Sequence, residues 1–201
     1  MDYRCDFLVI GTGLAGLSYA LQAADHGQVI LLTKAQLEET NTRYAQGGIA
    51  SVTYAPDHVE KHVEDTISAG DGLNEVDIVR MVVEKAPKQI QYLIDWGTKF
   101  DRKKDGTFDL NREGGHSEHR ILHHKDNTGS EIMRALAEKV KTHPNIQLFE
   151  RFFALDLITQ HHLGTPIFRG KQDIECYGTY ALNTRTNTVE TILSKITLLA
   201  T

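Results

Sequence analysis

The chain has 201 residues, of which 40% are hydrophobic and 24% charged, and its formal net charge is −5 at pH 7. A chain of this length holds one large domain or two small ones, buries roughly 70% of its unfolded surface and is too apolar to be disordered. The acidic balance argues against a nucleic-acid partner, yet leaves anionic ligands open, because glycine turns and helix N-termini bind anions without net charge.

From the N-terminus, Phe7-Leu8-Val9-Ile10 is a short apolar run, the pattern of a strand buried on both faces. A glycine-rich turn from Gly11 to Gly16 follows. Leu14, Leu17 and Leu21 then recur at helical spacing, with Gly27 as the stop, and Val29-Ile30-Leu31-Leu32 is a second buried strand. Residues 7–33 therefore read as β-turn-α-β, the opening of a doubly wound sheet. Residues 36–48 read as a long loop and 58–68 as a helix. Residues 76–97 read as one or two helices with Ile78, Met81, Val82, Ile90, Leu93 and Ile94 as the apolar stripe, kinked or divided at Pro87. Residues 99–125 are polar and rich in glycine, histidine and arginine, which in a compact domain marks a functional or mobile loop. A helix is expected over 128–141, with Ile132, Leu136 and Val140 on one face. Beyond it, 146–150, 154–159, 174–183, 188–192 and 196–200 read as strands, and their short links suggest a small antiparallel meander. No apolar run approaches a membrane span, and no signal-peptide pattern precedes the first strand. Cys5 and Cys176 belong to no CxxC pattern and read as reduced, partly buried thiols of a cytosolic protein.

Three segments carry chemistry. The first is Gly11-Thr12-Gly13-Leu14-Ala15-Gly16, a GxGxxG string that gains its meaning from the strand before it and the helix and strand after it. Gly11 permits the tight turn, Gly13 admits a pyrophosphate to the backbone, and Gly16 lets helix and sheet pack closely. The acidic residue that usually closes the second strand and holds the adenosine ribose is replaced by Thr33-Lys34. A hydroxyl can still bond a ribose, and Lys34 can face adenosine or phosphate or simply end the strand in solvent. The second segment, Thr40-Asn41-Thr42-Arg43-Tyr44-Ala45-Gln46-Gly47-Gly48, has the small polar side chains and Gly-Gly pair that let backbone approach a flat ligand, although by itself it reads as a turn-rich structural loop. The third, Arg112-Glu113-Gly114-Gly115-His116-Ser117 with His119 and Arg120, crowds a carboxylate, imidazoles and guanidinium groups onto a glycine-rich loop. Its rival readings are a solvated polar loop and a metal site on His116, His119, His123 and His124. The metal reading lacks any HExxH or paired CxxC frame, and no metal is expected. His161-His162 lies beside a turn and reads as surface.

Together these strings, with HVEDTISAGDGL, DNTG and the terminal ITLLAT, resemble the succinate dehydrogenase/fumarate reductase flavoproteins over essentially the whole chain, and within them the L-aspartate oxidases. The resemblance implies an α/β fold: a Rossmann-like doubly wound FAD-binding domain with a helical insertion and a small antiparallel β-meander. It divides the chain into a βαβ unit with the flavin loop (1–55), a helical segment with the substrate loop (56–145), and a meander with a return strand (146–201). It assigns FAD contacts to Gly11 through Gly16, to Lys34, to Asn41 through Gly48, and to Ala154. Relatives with covalently bound flavin carry histidine where Asn41 stands, so FAD is expected to be non-covalent. Glu113 is expected to orient the α-ammonium of L-aspartate, an interaction that would repel a plain dicarboxylate.

The implied reaction is oxidation of L-aspartate to iminoaspartate by hydride transfer from Cα to flavin N5. Oxygen or fumarate would reoxidise the flavin, and the product would feed quinolinate and NAD synthesis, with a functional link to quinolinate synthase. A cytoplasmic location and no membrane partner are expected. The family's capping and helical domains, its Gly-Gly pair after the last strand and its catalytic proton acceptor are expected to lie outside these 201 residues, leaving the chain inactive alone and poorly stable without FAD. The competing readings are a soluble fumarate reductase, a binding-only FAD module and an NAD-binding Rossmann domain.

Overall fold

A computed structural model describes residues 2–201. The chain divides into two units. One comprises the chain up to Asn41 together with Leu136–Thr201, and the other is Thr42–Ala135.

The first unit is organised by a six-stranded sheet. β1 (Asp2–Ile10) leads through the turn into α1 (Leu14–Ala23) and β2 (Val29–Thr33), whose five residues are all buried. After the second unit and α4 (Thr128–Thr142) come β6 (Ile146–Glu150), β7 (Phe152–Thr159), β8 (Cys176–Asn183) and β9 (Thr188–Leu199). The order is β6-β2-β1-β9-β8-β7. β6, β2, β1 and β9 run parallel, and β9, β8 and β7 antiparallel. The expected meander therefore exists, but it is no separate layer: its last strand is the neighbour of β1. Leu8, Ile10, Ile30, Leu32, Phe149, Phe152, Ala181 and Ile192 form one buried cluster drawn from six strands. Helix α1 packs on β1 and β2 through an apolar side that buries Leu17, Ala20 and Leu21.

Two sequence expectations change here. The strands expected at 188–192 and 196–200 are one strand, because β9 pairs with β1 from Asp2↔Thr191 to Ile10↔Leu199. Ser194-Lys195 breaks the apolar pattern without breaking the ladder. Lys195 turns outward to bond Asp6 at 2.6 Å, and Ser194 bonds Thr197 at 2.8 Å. The strand expected from residue 174 begins at Cys176.

The second unit holds α2 (Val59–Ala69), α3 (Val76–Asp95) and a three-stranded antiparallel sheet ordered β3-β5-β4, with β3 at Ile49–Ala50, β4 at Leu110–Asn111 and β5 at Ile121–Leu122. The polar stretch 99–125 thus contains two strands too short for a periodic signal. α3 is one helix, with Pro87 inside it. An interior proline costs about 3 kcal/mol. Burial of Val83, Ile90 and Leu93, each worth about 1.5–3 kcal/mol, outweighs that and ties both halves down. The expected stripe is half wrong: Ile90 and Leu93 are buried, but Ile78, Met81 and Val82 are exposed, and Val83 takes the inward position. In α4, Ile132, Leu136 and Val140 are all buried as expected.

No helix among the described residues is long and apolar enough to cross a membrane. Cys5 and Cys176 are free and half-buried, and burial pushes the Cys5 thiol up to about 11.

Candidate functional site

In the first unit the glycine turn is made by the end of β1, the start of α1 and the residues after β9. Gly11 has φ +114°, a conformation L side chains rarely adopt, and a Cβ there would lie 2.2 Å from the Ala200 carbonyl oxygen. Its N–H donates to Leu32 O at 2.9 Å, and Ala200 N–H donates to Ile10 O at 2.8 Å, so the turn is held between its two neighbouring strands. A Cβ on Gly16 would meet the Gly11 carbonyl oxygen at 2.0 Å, so the first turn of α1 lies directly on the loop. Gly13 is the N-cap of α1, with φ −67° and ψ 179°. Gly13 has no side chain with which to cap the helix, and the first turn carries no acid. The positive end of α1 favours an anion, an interaction worth about 0.3–1 kcal/mol when exposed and up to about 2 when partly buried. Thr12 is buried, Leu14 half-buried and Ala15 exposed. This cradle fits a dinucleotide pyrophosphate: the groups that would block it are missing at the positions where backbone must come close.

Thr33 is buried and Lys34 exposed at the end of β2. Ala154 lies on β7, paired with Ala181, and its methyl packs on the core cluster. Only its backbone is left for a cofactor. Asn41 is exposed at the end of this unit's first segment.

In the second unit, Thr42 is half-buried, whereas Arg43, Tyr44, Ala45, Gln46, Gly47 and Gly48 are exposed. The loop is fixed through its backbone. Gly129 N–H donates to Ala45 O at 3.0 Å, and a Cβ on Gly129 would lie 1.8 Å from Thr42 O. That close approach explains the glycine in Asp126-Asn127-Thr128-Gly129: the start of α4 is pressed against the 42–45 turn.

The 112–124 loop is held differently. The Arg120 side chain is fully buried. Its Nε and Nη2 donate to the two carboxylate oxygens of Asp57 at 2.9 and 2.8 Å, and its Nη1 donates to Asp65 at 2.5 Å. Asp65 also accepts from the Ser117 N–H at 2.7 Å and hydroxyl at 2.9 Å. A two-pronged Arg–carboxylate pair is the strong form of this contact. Burial by itself would lower the Arg120 guanidinium, but Asp57 and Asp65 overrule it and raise it. Burial would likewise raise Asp65, yet the Ser117 and Arg120 hydrogen bonds hold its carboxyl below the usual range. Lys61 adds a bond to Glu118 at 2.6 Å. The loop is thereby strapped to α2 and to the segment before it.

Upstream of that strap, Gly115 (φ +88°) completes a turn in which His116 N–H donates to Glu113 O at 3.1 Å. Arg112, Glu113, Gly114 and Gly115 are exposed. Among the described residues the Glu113 side chain forms no hydrogen bond or ion pair, with a neighbouring arginine or any other group. His62 is buried and His116 half-buried, with ring centroids 6.1 Å apart, and the Nδ1 of each is buried without a hydrogen-bond partner among the described residues. Burial pushes the His62 imidazole down, and Arg120 and His116 push it further. His123 Nδ1 lies 3.4 Å from Asp101, within ion-pair range but without hydrogen-bond geometry. His119 bonds the Leu110 carbonyl at 3.1 Å and is exposed. The only group with metal-ligand convergence among the described residues is elsewhere, at Asp156, His161 and His162. Sequence reasoning noticed Arg120 as part of a charged loop. It missed Asp57 and Asp65 as partners, because they stand 63 and 55 residues away with nothing local to mark them.

Comparison with known proteins bears on these features. The family model described as "FAD binding domain" matches residues 6–201. A tobacco protein named L-aspartate oxidase 2-a, chloroplastic, is 48% identical over 97% of this chain and 29% of its own length. L-aspartate oxidase of Vibrio cholerae serotype O1 is 44% identical over all of this chain and 37% of its own length. Among solved structures, FrdA of E. coli quinol fumarate reductase superposes with a TM-score of 0.89 at 29% identity, over all of this chain and 33% of that one. The chain therefore spans about a third of the length of the curated relatives it matches.

Proposed function

The chain belongs to the family of FAD binding domains, and from that premise we propose that it is the cofactor-holding part of an L-aspartate oxidase. The observation that carries the proposal is Glu113. It is exposed, without a partner among the described residues, and held on a loop fixed by Arg120, in a chain whose 44–48% identical relatives are named L-aspartate oxidases. A carboxylate with no partner among the described residues is available to accept a hydrogen bond from an α-ammonium and to disfavour a plain dicarboxylate.

FAD, when bound, supplies the acceptor for the hydride that leaves Cα as aspartate becomes iminoaspartate. This chain's own residues bind and orient. The backbone at Gly11–Gly16 and the N-terminus of α1 take the pyrophosphate, with Leu14, Ala15 and Thr12 in the same turn. Lys34 and the backbone of Ala154 take the adenosine end. Asn41, Thr42, Arg43, Tyr44, Ala45, Gln46, Gly47 and Gly48 take the flavin end, without a covalent link because an asparagine side chain cannot form one. Glu113 orients the substrate. Oxygen or fumarate accepts the electrons, the protein works in the cytoplasm, and the product passes to quinolinate synthesis.

The second reading, a fumarate reductase, is favoured by the superposition on the E. coli enzyme. One variant of the full-length, FAD-loaded enzyme separates them. Glu113→Gln keeps shape and removes charge. Aspartate oxidation should fall by about tenfold to a few hundredfold, since a hydrogen bond to a charged group is worth about 1.5–3 kcal/mol. Fumarate reduction should not fall, since the charge that repels a plain dicarboxylate is gone, and the melting temperature should change little. Equal loss of both activities would defeat the assignment.

A further inference from the structure

At the end of β7 the chain turns sharply through a 3₁₀ helix, Gln160–Leu163. Both ends of that turn are fixed. Thr159 caps it with its side chain, and Gly164, at φ 82°, closes it in the left-handed region. Successive residues of so tight a turn place His161 and His162 side by side, with ring centroids 3.7 Å apart and planes at 47°. Asp156 stands exposed on β7, next to a register shift in the β7–β8 ladder. Its Oδ2 lies 3.4 Å from His162 Nε2 and 3.8 Å from His161 Nε2.

We propose that Asp156, His161 and His162 form a binding site for a divalent transition-metal ion of the zinc type, with water completing its coordination. The ligand atoms of the three residues all lie within 4.8 Å of one another. Metal–nitrogen and metal–oxygen bonds of about 2.0–2.2 Å in a tetrahedron put ligand atoms about 3.3–3.6 Å apart. The 3.4 and 3.8 Å separations from Asp156 lie within a few tenths of an ångström of that range, and the third pair, within 4.8 Å, closes by at most about 1.5 Å through rotation of two exposed rings. Two imidazoles with one carboxylate suit zinc and its neighbours far better than calcium or magnesium, which take oxygen ligands.

The surroundings also fit. A ligating imidazole ordinarily bonds a protein group through its other nitrogen, which fixes tautomer and ring orientation. His161 Nδ1 lies 2.8 Å from Thr159 Oγ1, so Nδ1–H can donate to that hydroxyl and leave the Nε2 lone pair facing Asp156. His162 Nδ1 accepts from Thr159 N–H at 3.4 Å, a weak contact. Ligation through Nε2 moves a proton onto Nδ1 and replaces that contact, which is the site's main local cost. The site is independent of the aspartate oxidase reading, since it lies outside the glycine turn and the Glu113 loop. Its effect would be to tie the 3₁₀ turn to β7, stabilising the holo form by mass action.

The test is calorimetric titration of the chelator-treated, FAD-loaded protein with zinc chloride. The parent should bind one more equivalent than either Asp156→Asn or the double variant His161→Ala/His162→Ala. Where residual binding at that site is measurable, it should be weaker by at least about tenfold, the smallest loss typical of disturbing a metal site's supporting contacts. All three residues are at least partly solvent-accessible, so the metal-free variants should melt with the parent. Asp156→Asn, which keeps the shape, serves if the double variant does not. Imidazole nitrogen resonances of His161 and His162 should move on zinc addition while those of His119 stay. Equal zinc stoichiometry and affinity in parent and variants would overturn the site, as would no binding by the parent.

Discussion

The glycine turn of the first unit and the 112–124 loop of the second solve the same problem with opposite materials. The turn is shaped by backbone: Gly11 and Gly16 are there because neighbouring carbonyl oxygens occupy the space a Cβ would need. The loop is shaped by side chains: a buried guanidinium gathers two carboxylates from the polypeptide ahead of it. A backbone site tolerates any change that keeps atoms out. A side-chain site fails when one partner loses its charge, because the remaining ions stay buried.

That contrast is broken most forcefully at Asp57, whose side chain is 1% exposed against Arg120. Asp57→Ala should cost about 3–5 kcal/mol, the usual result of removing one partner of a buried pair. Urea unfolding of the FAD-loaded protein measures it, and a loss below 1 kcal/mol would mean that the strap carries no stability. Gly13→Val tests the backbone site. At φ −67° the helix cap accepts a valine, so the fold should survive, while the branched side chain stands where pyrophosphate belongs. FAD affinity should fall by about a hundredfold, or ~2.7 kcal/mol. Unchanged flavin binding, read by fluorescence, would remove the cradle assignment.

Asp65 sharpens the comparison through pH. Its carboxyl is held below the ordinary value of about 3.9. A depressed folded pKa contributes stability that is full above the unfolded value and lost as pH falls through the folded one. Acid unfolding should therefore begin below about pH 4, and Asp65→Asn should flatten that limb without changing the slope above pH 6. An acid limb identical to the parent's would exclude Asp65 as its source. The smallest effect concerns the first unit's core edge. With its thiol raised to about 11, Cys5 should react with disulfide reagents at pH 8 far more slowly than an exposed thiol. Rapid labelling of Cys5 in the folded protein would contradict its burial.

Legibility followed the same division. The βαβ opening was readable because a buried strand, a GxGxxG turn and a helical stripe are all local. Gly129 was readable as part of a string, although its reason, the Thr42 carbonyl 1.8 Å from a would-be Cβ, was not. On α3, apolar spacing placed Ile78, Met81 and Val82 inward, and they point outward. Periodicity locates a stripe on a helix but does not say how far along it the neighbouring surface extends.

By itself, the sequence determined the glycine turn, the buried strands beside it, the helices, and the absence of a histidine at position 41. Each depends on residues within a few turns of one another, where steric exclusion and periodicity act directly. Only the tertiary structure decided that the meander joins the parallel sheet through β9, that Arg120 is a buried strap, that Glu113 meets no partner among the described residues, and that Asp156 meets His161 and His162. Those outcomes depend on which distant segments meet, and a fully buried charge is stable only where its partners are delivered to it.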